Sequence, residues 1–386
     1  MEYDLTEEQA AVRRRARRFA LERVAPFAAE RDRAGEYPRE LLRQLGEEGF
    51  LGYPFPETYG GGGGSFLGFC TIAEELARED ASASVIMLLN PTLVATPIML
   101  AGDEERRRRL LPELFSGRLL GCFCLTEPEA GSDAAAIKTV ADAVDEGFVL
   151  NGEKIFIQQG DVADLALVVC RVRGVDERPR TSLLLVEDLA TKEGVSRRRL
   201  RGKIGIRAAT TGRLRFENVR VGRDALVGEV GSGFRIVFET LDGGRLGIAA
   251  QALGIAQGAF ERAFERACAR VQFGRPIIEM GAIEAMLARM ATEIEAARSL
   301  LYRAAVAKDA GRPYGTLAAM AKLHASRVAN RVAYDALQIY GGRGFVGELS
   351  DVGRFWRDAR ITEIYEGTSQ IQQLLITRRL REERDA

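Results

Sequence analysis

The sequence predicts an α+β protein with an N-terminal helical domain over residues 1–117, a middle antiparallel β domain over 118–230 and a C-terminal helical bundle over 231–386. Three observations predict this order. Apolar residues first recur at three- and four-residue spacing, short β-rich runs follow, and helical periodicity returns after Gly231-Ser232-Gly233. A chain of 386 residues is also long enough for two to three domains.

The first helix is marked by its N-terminal signal. Thr6 followed three residues later by Gln9 makes a capping box, and the helix should run to about Pro26. Helical spacing of apolar residues continues from Leu41 onward, with a flexible break at Gly60 to Gly64. We therefore expect residues 1–117 to be helical.

The middle part contains short runs rich in β-branched and apolar residues, such as LALVVCRV and SLLLVE. The pair Asn151-Gly152 stands between FVL and KIFI, where it is a hairpin signal. The run from Leu214 to Val221 has near-alternating polarity. These features predict an antiparallel sheet.

The last part contains only two prolines, Pro276 and Pro313, after Gly233, so long helices are expected. Their faces are rich in Ala and Leu, which suits a closely packed bundle. His324 is the only histidine and lies in one of these helical stretches. An ordinary helix residue is the simpler interpretation of His324 than a catalytic one.

Composition excludes several classes of function. Fifty-five basic residues balance fifty-five acidic ones, which lacks the positive surface that nucleic acid binding requires. No apolar run approaches the roughly 18 residues that span a bilayer, and the opening MEYDLTEEQ is not a signal peptide. The five cysteines include no C-x-x-C pair, so neither a metal site nor disulfides are indicated. We expect a cytoplasmic protein without nucleic acid partners.

One glycine pattern invites a misleading interpretation. Gly342, Gly344 and Gly347 spell G-x-G-x-x-G, the fingerprint of dinucleotide-binding folds. That motif works only between a strand and a helix of a βαβ unit, whereas here it follows the helical stretch RVAYDALQIY. A nicotinamide site is therefore disfavoured.

Two other segments could carry chemistry. The turn LTEPEAGSD, Leu125 to Asp133, combines small residues with hydroxyl donors, although taken alone it is more simply a polar turn. Glu366 stands just before a helix that Thr368 would cap. A helix N-terminus favours the ionised carboxylate and an apolar pocket disfavours it, so Glu366 is either a base tunable toward neutral pH or a simple capping charge.

Taken together, these motifs resemble the acyl-CoA dehydrogenase family over nearly the whole chain. The matching segments occur in the family's order: PETYGG from Pro56, LTEPEAGSD from Leu125, NGEKIFI from Asn151, LDGGR from Leu241, RVQFG from Arg270, QIYGG from Gln338 and RDARITEIYEGTSQIQ from Arg357. The resemblance is to short-chain and branched-chain members in particular. It implies FAD as cofactor, an acyl-CoA substrate, an electron-transferring flavoprotein as acceptor and a homotetramer acting in fatty acid β-oxidation.

The resemblance also implies roles for individual residues, with Glu366 as the catalytic base. FAD would be held between the β domain and the C-terminal bundle, partly by a neighbouring subunit. The cofactor-binding residues would be Phe123, Leu125, Thr126, Gly131, Ser132, Phe156, Ile157, Gln158, Arg270, Phe273, Gln338, Gly341, Gly342, Thr368 and Gln370. The substrate-binding residues would be Ser132, Asp242, Arg245, Tyr365 and Gly367.

The chain departs from the family pattern at a few positions. Phe156-Ile157-Gln158 replaces a usual Trp-Ile-Thr beside the flavin, and Gly281 replaces a glutamine that touches FAD. Gly244 occupies the place of the alternative catalytic glutamate of isovaleryl-type relatives, and Ser84 that of the arginine of glutaryl-type relatives. Two alternatives stay open on these departures: an acyl-CoA oxidase-like enzyme that uses oxygen, and a redox-inactive acyl-CoA binding relative.

Overall fold

The structure is a computed structural model that describes residues 5–385. Residues 1–4, on which the expected absence of a signal peptide partly rests, lie outside this range. The described chain follows the predicted order of helices, strands and helices. The exact domain boundaries after residues 117 and 230 stay a prediction.

The N-terminal part is helical, as predicted. The capping box is formed, because Thr6 and Gln9 each accept a hydrogen bond from the other's backbone N–H. A π-helical turn, Ala20–Val24, and a short 3₁₀ turn, Ala25–Phe27, extend the first helix to the region of Pro26. The helices are α1 Glu7–Phe19, α2 Ala28–Ala34, α3 Arg39–Glu47, α4 Phe66–Ala77, α5 Ala81–Leu89, α6 Thr96–Ala101 and α7 Glu104–Phe115.

One helical segment is longer and more apolar than predicted from the sequence. Residues Ala81–Ala101, which include α5 and α6, are long and apolar enough to cross a membrane, with a mean hydropathy of 1.7. The prediction that no run approaches spanning length is therefore wrong here. Because 72% of that apolar window is buried within the protein, core packing accounts for its composition.

The strands of the middle part form one mixed sheet. They are β1 Gly121–Cys124, β2 Val140–Val144, β3 Gly147–Gln158, β4 Leu165–Arg173, β5 Arg180–Val186, β6 Val195–Arg199, β7 Thr211–Gly222 and β8 Leu226–Val227. The spatial order is β6-β7-β3-β2-β4-β5-β8, with β1 also paired to β4.

Most neighbouring strands are antiparallel, as predicted, but β1 and β2 both run parallel to β4. These two strands occupy successive stretches of the same edge of β4, opposite Leu165–Val168 and Arg171–Arg173. Residues 125–139 connect them and leave the sheet. This connection, residues 125–139, is called the excursion below, and it contains the turn LTEPEAGSD. The sequence pattern alone did not predict that it leaves the sheet.

The hairpin predicted at Asn151-Gly152 is wrong, because β3 runs straight through these residues. The tight turn is instead between Val144 and Gly147, which pair across β2 and β3. Gly152 is required for close packing. A Cβ at this position would lie 2.5 Å from Oγ1 of Thr139.

The C-terminal part is a bundle of long helices interrupted by a small β-hairpin, as the periodicity predicted. His324 lies within α10, as predicted for an ordinary helix residue. The elements are α8 Gly233–Ala269, β9 Val271–Gln272, β10 Arg275–Pro276, α9 Gly281–Asp309, α10 Gly315–Tyr340, α11 Gly342–Phe345, α12 Val352–Ala359 and α13 Ser369–Asp385. Helix α10 packs along α8, and this contact forms much of the core.

Candidate active site

A cavity of about 730 Å³ lies between the sheet and helices α5, α8 and α13. It collects the excursion between β1 and β2, the end of β3 and the segment before α13. The predicted residues that line it are Phe123, Leu125, Thr126, Gly131, Ser132, Phe156, Ile157, Gln158, Arg245, Tyr365, Glu366 and Gly367.

The other predicted residues do not line this cavity within one described chain. Arg270 and Phe273 belong to the β9–β10 hairpin, and Phe273 is 95% exposed at its tip. The residues at the end of α10 and the start of α13 also lie outside it: Gln338, Gly341, Gly342, Thr368 and Gln370. Asp242 lies behind the cavity wall, where it pairs with Arg245.

Glu366 has an unusual backbone conformation. Its φ of 54° is in the left-handed region, which non-glycine residues seldom adopt, and Gly367 follows with a φ of 86°. Thr368 caps the N-terminus of α13 as predicted, because its Oγ1 accepts a hydrogen bond of 3.3 Å from the N–H of Ile371. The turn places the Glu366 side chain in the cavity rather than along the helix axis.

The Glu366 carboxylate is poorly solvated and lacks a direct partner. Its Oε2 is buried, with no hydrogen bond from the described residues. Burial raises the pKa of Glu366 to about 7, against the opposing charges of Arg245 and Lys322. A carboxyl group with this pKa can accept and release a proton near neutral pH.

The residue before Glu366, Tyr365, anchors this segment to α8. The Tyr365 hydroxyl donates to Oε1 of Gln251, and Nε2 of Gln251 donates to the carbonyl of Ala81 at 3.0 Å. Because Gln251 is fully buried, this chain of hydrogen bonds ties the Glu366 segment to the core.

The LTEPEAGSD turn is fixed by a buried ion pair that sequence reasoning missed. Nζ of Lys154 donates to Oε1 of Glu127 at 2.8 Å and to the carbonyl of Leu125 at 2.9 Å. Glu127 also accepts the backbone N–H groups of Lys138 and Thr139. Burial pushes the pKa of Glu127 up, but Lys154 and these donors hold it below its usual range.

The end of β3 presents the two residues that depart from the family pattern. Phe156 has a φ of 59°, lies at a register shift against β7 and is 66% exposed over the cavity. Gln158 accepts a hydrogen bond from the Thr211 hydroxyl through Oε1. Its Nε2 is buried and has no acceptor among the described residues. Both side chains are therefore available to a ligand.

Further residues of the site come from helices distant in sequence. Arg379 joins Arg245 in pairing with Asp242, and the Lys322 ammonium lies near Glu366. Lys322 is four residues after Ala318 and three before Ala325, both fully buried. That spacing was a readable signal that the lysine faces the core.

Three other residues singled out in the sequence lie outside the cavity: Ser84, Gly281 and Gly342. Ser84 is buried, and its hydroxyl donates to the carbonyl of Ala73 at 2.9 Å rather than lining the cavity. Gly281 begins α9 and has no heavy atom within 4 Å of a Cβ placed on it. Gly342 follows helix α10 and not a strand, so the structural context of a dinucleotide fingerprint is missing there.

Comparisons with known proteins agree with this architecture. Family models of the acyl-CoA dehydrogenase N-terminal, middle and C-terminal domains match residues 6–118, 122–219 and 231–381. A short-chain specific acyl-CoA dehydrogenase from Clostridium acetobutylicum is 42% identical over 377 residues, covering 98% of this chain and 99% of that protein.

Solved structures give the same result. Butyryl-CoA dehydrogenase from Megasphaera elsdenii has a TM-score of 0.94 and 40% identity, covering 98% of this chain and 100% of that one. A chain from a structure of the electron transferring flavoprotein of Acidaminococcus fermentans has a TM-score of 0.94 and 41% identity, covering 98% and 99%. This chain therefore belongs to the acyl-CoA dehydrogenase family of oxidoreductases.

Proposed function

We propose that this protein removes two hydrogens from the α and β carbons of an acyl-CoA thioester, with FAD as cofactor and Glu366 as base. The observation that carries the proposal is the Glu366 carboxylate, which faces the cavity with a buried, unpartnered Oε2 and a pKa raised to about 7. An α C–H of a thioester is a weak acid, so its removal needs a poorly solvated base fixed in position.

The residues around the cavity fit a flavin. The orphaned Nε2 of Gln158 offers a donor to a ring acceptor, and the exposed ring of Phe156 offers an aromatic cover. Small and hydroxyl-bearing residues of the excursion, including Thr126, Gly131 and Ser132, would hold the rest of the group. FAD, when bound, supplies the acceptor for the hydride that leaves the β carbon.

Glu366 would serve the reaction with two of its groups. Its carboxylate takes the α proton, and its backbone N–H, which has no acceptor within residues 5–385, donates to the thioester oxygen. A donor aimed at that oxygen stabilises the negative charge that develops as the proton leaves. Arg245, which lines the cavity, would meet the pantetheine and adenine part of the substrate, and Asp242 would act through its ion pair with Arg245.

We place the substrate among short-chain acyl-CoA thioesters. The relatives named above include a short-chain specific enzyme and a butyryl-CoA dehydrogenase. The acyl end of the cavity is walled by the apolar side chains of Val85, Leu88, Leu89 and Ile248, and Ser84 offers no cation for a second carboxylate. An uncharged acyl group suits these walls.

The remaining proposals concern partners and location. An electron-transferring flavoprotein as acceptor is supported by the similarity to a chain in a structure of such a flavoprotein. A homotetramer is supported by the aromatic side chain of Phe273, which is 95% exposed in the RVQFG segment whose Arg270 the resemblance assigns to a neighbouring subunit's FAD. Phe345, 86% exposed, follows shortly after the Gln338 to Gly342 loop, to which the resemblance gives the same role. All five cysteines are unpaired, which suits a reducing compartment such as the cytoplasm.

An anaerobic titration of the purified, FAD-loaded protein with a series of acyl-CoA thioesters tests the function. We expect the flavin absorbance to bleach with short straight or branched chains and not with dicarboxylic ones. A protein that retains no FAD, or whose flavin no acyl-CoA bleaches, would overturn the proposal. Reoxidation in air then separates the acceptors: slow reaction with oxygen and fast transfer to the flavoprotein are expected, and rapid peroxide formation would indicate an oxidase.

A further inference from the structure

Lys322 is a buried cation that the reaction described above does not use. It lies in α10 with its side chain fully buried, and it forms no ion pair in the part of the chain that the structure describes. Nζ donates a hydrogen bond of 2.7 Å to the carbonyl of Gly367, directly after the base. Burying an ammonium is unfavourable, so a lysine at this position calls for a compensating role.

A second buried side chain, that of Gln372, donates hydrogen bonds to the same turn. Nε2 of Gln372 donates to the carbonyls of both Glu366 and Gly367, at 3.0 Å each. Gln372 is fully buried, one turn into α13. Lys322 and Gln372 therefore hold two successive peptide groups from two different helices.

The two residues whose carbonyls accept these hydrogen bonds have left-handed backbone conformations. Glu366 has a φ of 54° and Gly367 a φ of 86°. For a glutamate this conformation is strained and persists only when the surroundings enforce it. With the two carbonyls turned toward Lys322 and Gln372, the Glu366 side chain is left facing the cavity.

The charge of Lys322, unlike that of Arg245, is not neutralised by an ion pair with a carboxylate. The charge of Arg245 is paired with Asp242, which a second arginine, Arg379, pairs with as well. Lys322 has only a neutral carbonyl as its hydrogen-bond acceptor, so its charge acts on Glu366 without a competing ion pair. Charges in a poorly solvated site interact more strongly than in water.

We propose that Lys322 is a positioning residue for the base: it clamps the strained turn together with Gln372, and its ammonium keeps the Glu366 carboxylate ionised in the cavity. This inference rests on the proposed function of Glu366. The charged and titratable groups facing the base are Asp242 and Arg245 of α8, Lys322 of α10, Arg379 of α13, and Glu363 and Tyr365 of its own segment.

The direction of the charge effect follows from these groups. Burial raises the pKa of Glu366 to about 7, while Arg245 and Lys322 oppose that rise. Burial lowers the pKa of Lys322 to about 8, and Glu366 opposes that fall. Between these values both groups are ionised together. Removing the ammonium should therefore raise the pKa of Glu366 further.

The test uses three variants of the full-length, FAD-loaded enzyme. Lys322→Met removes the charge and the hydrogen bond but keeps the length of the stem, Lys322→Arg keeps a charge, and Gln372→Met removes only the neutral clamp. The protonation of Glu366 is followed without substrate by infrared difference spectroscopy of the carboxyl group, with Glu366→Gln as the spectral reference. The rate of anaerobic flavin reduction is measured across pH, alongside FAD content and Tm.

We expect Lys322→Met to retain FAD and to shift the infrared titration of Glu366 upward by about one pH unit or more, as for loss of a nearby opposite charge. Its flavin reduction should be slowed about fivefold at pH 7 and less at higher pH, since a one-unit shift lowers the ionised fraction of the base at pH 7 from about a half to about a tenth. In Lys322→Arg, which keeps the positive charge, the infrared titration midpoint of Glu366 should stay close to the wild-type value. Gln372→Met should slow reduction at all pH values without moving the midpoint.

An unchanged infrared midpoint in a folded, FAD-containing Lys322→Met variant would overturn the electrostatic role. An unchanged rate in both Lys322→Met and Gln372→Met would overturn the clamp. If Lys322→Met does not fold, the titration in Lys322→Arg decides: a midpoint close to the wild-type value supports the charge role, and one shifted upward contradicts it. Failure of the proposed function is distinct, because then no acyl-CoA bleaches the wild type while the infrared titration still reports on Lys322.

Discussion

Glu366 and Gly244 are in direct contact, so that a Cβ built on Gly244 would lie 3.0 Å from Oε2 of Glu366 and 3.2 Å from its carboxyl carbon. Helix α8 thus approaches the Glu366 carboxylate with a residue that has no side chain. A methyl group at position 244 would require the carboxylate to move by a few tenths of an ångström.

Gly244→Ala should therefore displace the carboxylate while leaving the helix intact. We expect anaerobic flavin reduction to slow by roughly 10- to 100-fold, because small misplacements of a reacting group are costly. Gly243→Ala is the matched control, since its Cβ would meet only Nζ of Lys308 at 3.8 Å. Equal rates for the two variants would show that the contact does not matter.

The buried pair between Lys154 and Glu127 should stabilise the β domain and its ligand-binding turn. Lys154→Met leaves the Glu127 carboxylate without its cation and with only the backbone N–H groups of Lys138 and Thr139 as donors. Removing one partner of a buried pair typically costs about 3–5 kcal/mol. Chemical denaturation would measure this loss, and FAD retention should fall with it. The exposed pair between Lys138 and Glu129 provides the control: Lys138→Met should leave the stability nearly unchanged, because an ion pair on the surface contributes little. A Lys154→Met protein as stable as Lys138→Met would contradict the assignment.

The raised pKa of Glu366 predicts a pH dependence of activity. The base must be ionised, so kcat/KM should increase with pH through a midpoint near 7. In Glu366→Asp, kcat/KM should still increase with pH but reach a lower maximum, because a shorter carboxylate is still a base. A rate independent of pH between 5 and 8 would contradict the assigned base.

The same group predicts a pH dependence of stability with a definite sign. A pKa above its unfolded value means that the folded protein binds the proton more tightly, so the associated stability is present at low pH and lost as pH rises toward 7. Glu366→Gln should consequently be more stable than the wild type at pH 8, by roughly 1–3 kcal/mol. The difference should vanish near pH 4.5. Parallel stability curves across that range would refute this linkage.

The orphaned amide of Gln158 predicts a contribution to FAD retention. Gln158→Leu removes the donor and should weaken FAD binding by about 0.5–1.5 kcal/mol, the usual net value of one hydrogen bond. Equilibrium dialysis of FAD against the apoprotein would measure the change. Gln373→Leu, at an exposed position of α13, is the control and should bind FAD as the wild type does. Equal dissociation constants would remove Gln158 from the cofactor site.

Periodicity and capping were sufficient to predict the order of helices, strands and helices, because each element carries its own local signal. The hairpin at Asn151-Gly152 was wrong for a physical reason: the glycine is required by the approach of Thr139, a contact between residues distant in the chain. The parallel pairing of β1 and β2 with β4 was missed similarly, since a strand's sequence does not state its partner's direction.

At the site, the resemblance predicted part of the cavity lining but not the buried residues that support it. Lys154 lies in phase with the buried Phe148 and Leu150 on β3, so alternation could have identified it as an inward-facing lysine. Its partner Glu127 could not be identified, because the pair forms only when the excursion folds back onto β3. The same holds for Lys322, whose carbonyl acceptor at Gly367 is 45 residues away.

The most direct test of the central claim is rapid-mixing reduction of FAD-loaded Glu366→Gln by the acyl-CoA that best bleaches the wild type. The variant keeps the shape of the side chain but cannot accept a proton at neutral pH. We predict that FAD stays bound at the wild-type stoichiometry and acyl-CoA still binds, while bleaching slows by roughly 100- to 10,000-fold, the usual contribution of a general base. Bleaching at the wild-type rate would show that the proton goes elsewhere and that Glu366 is not the base.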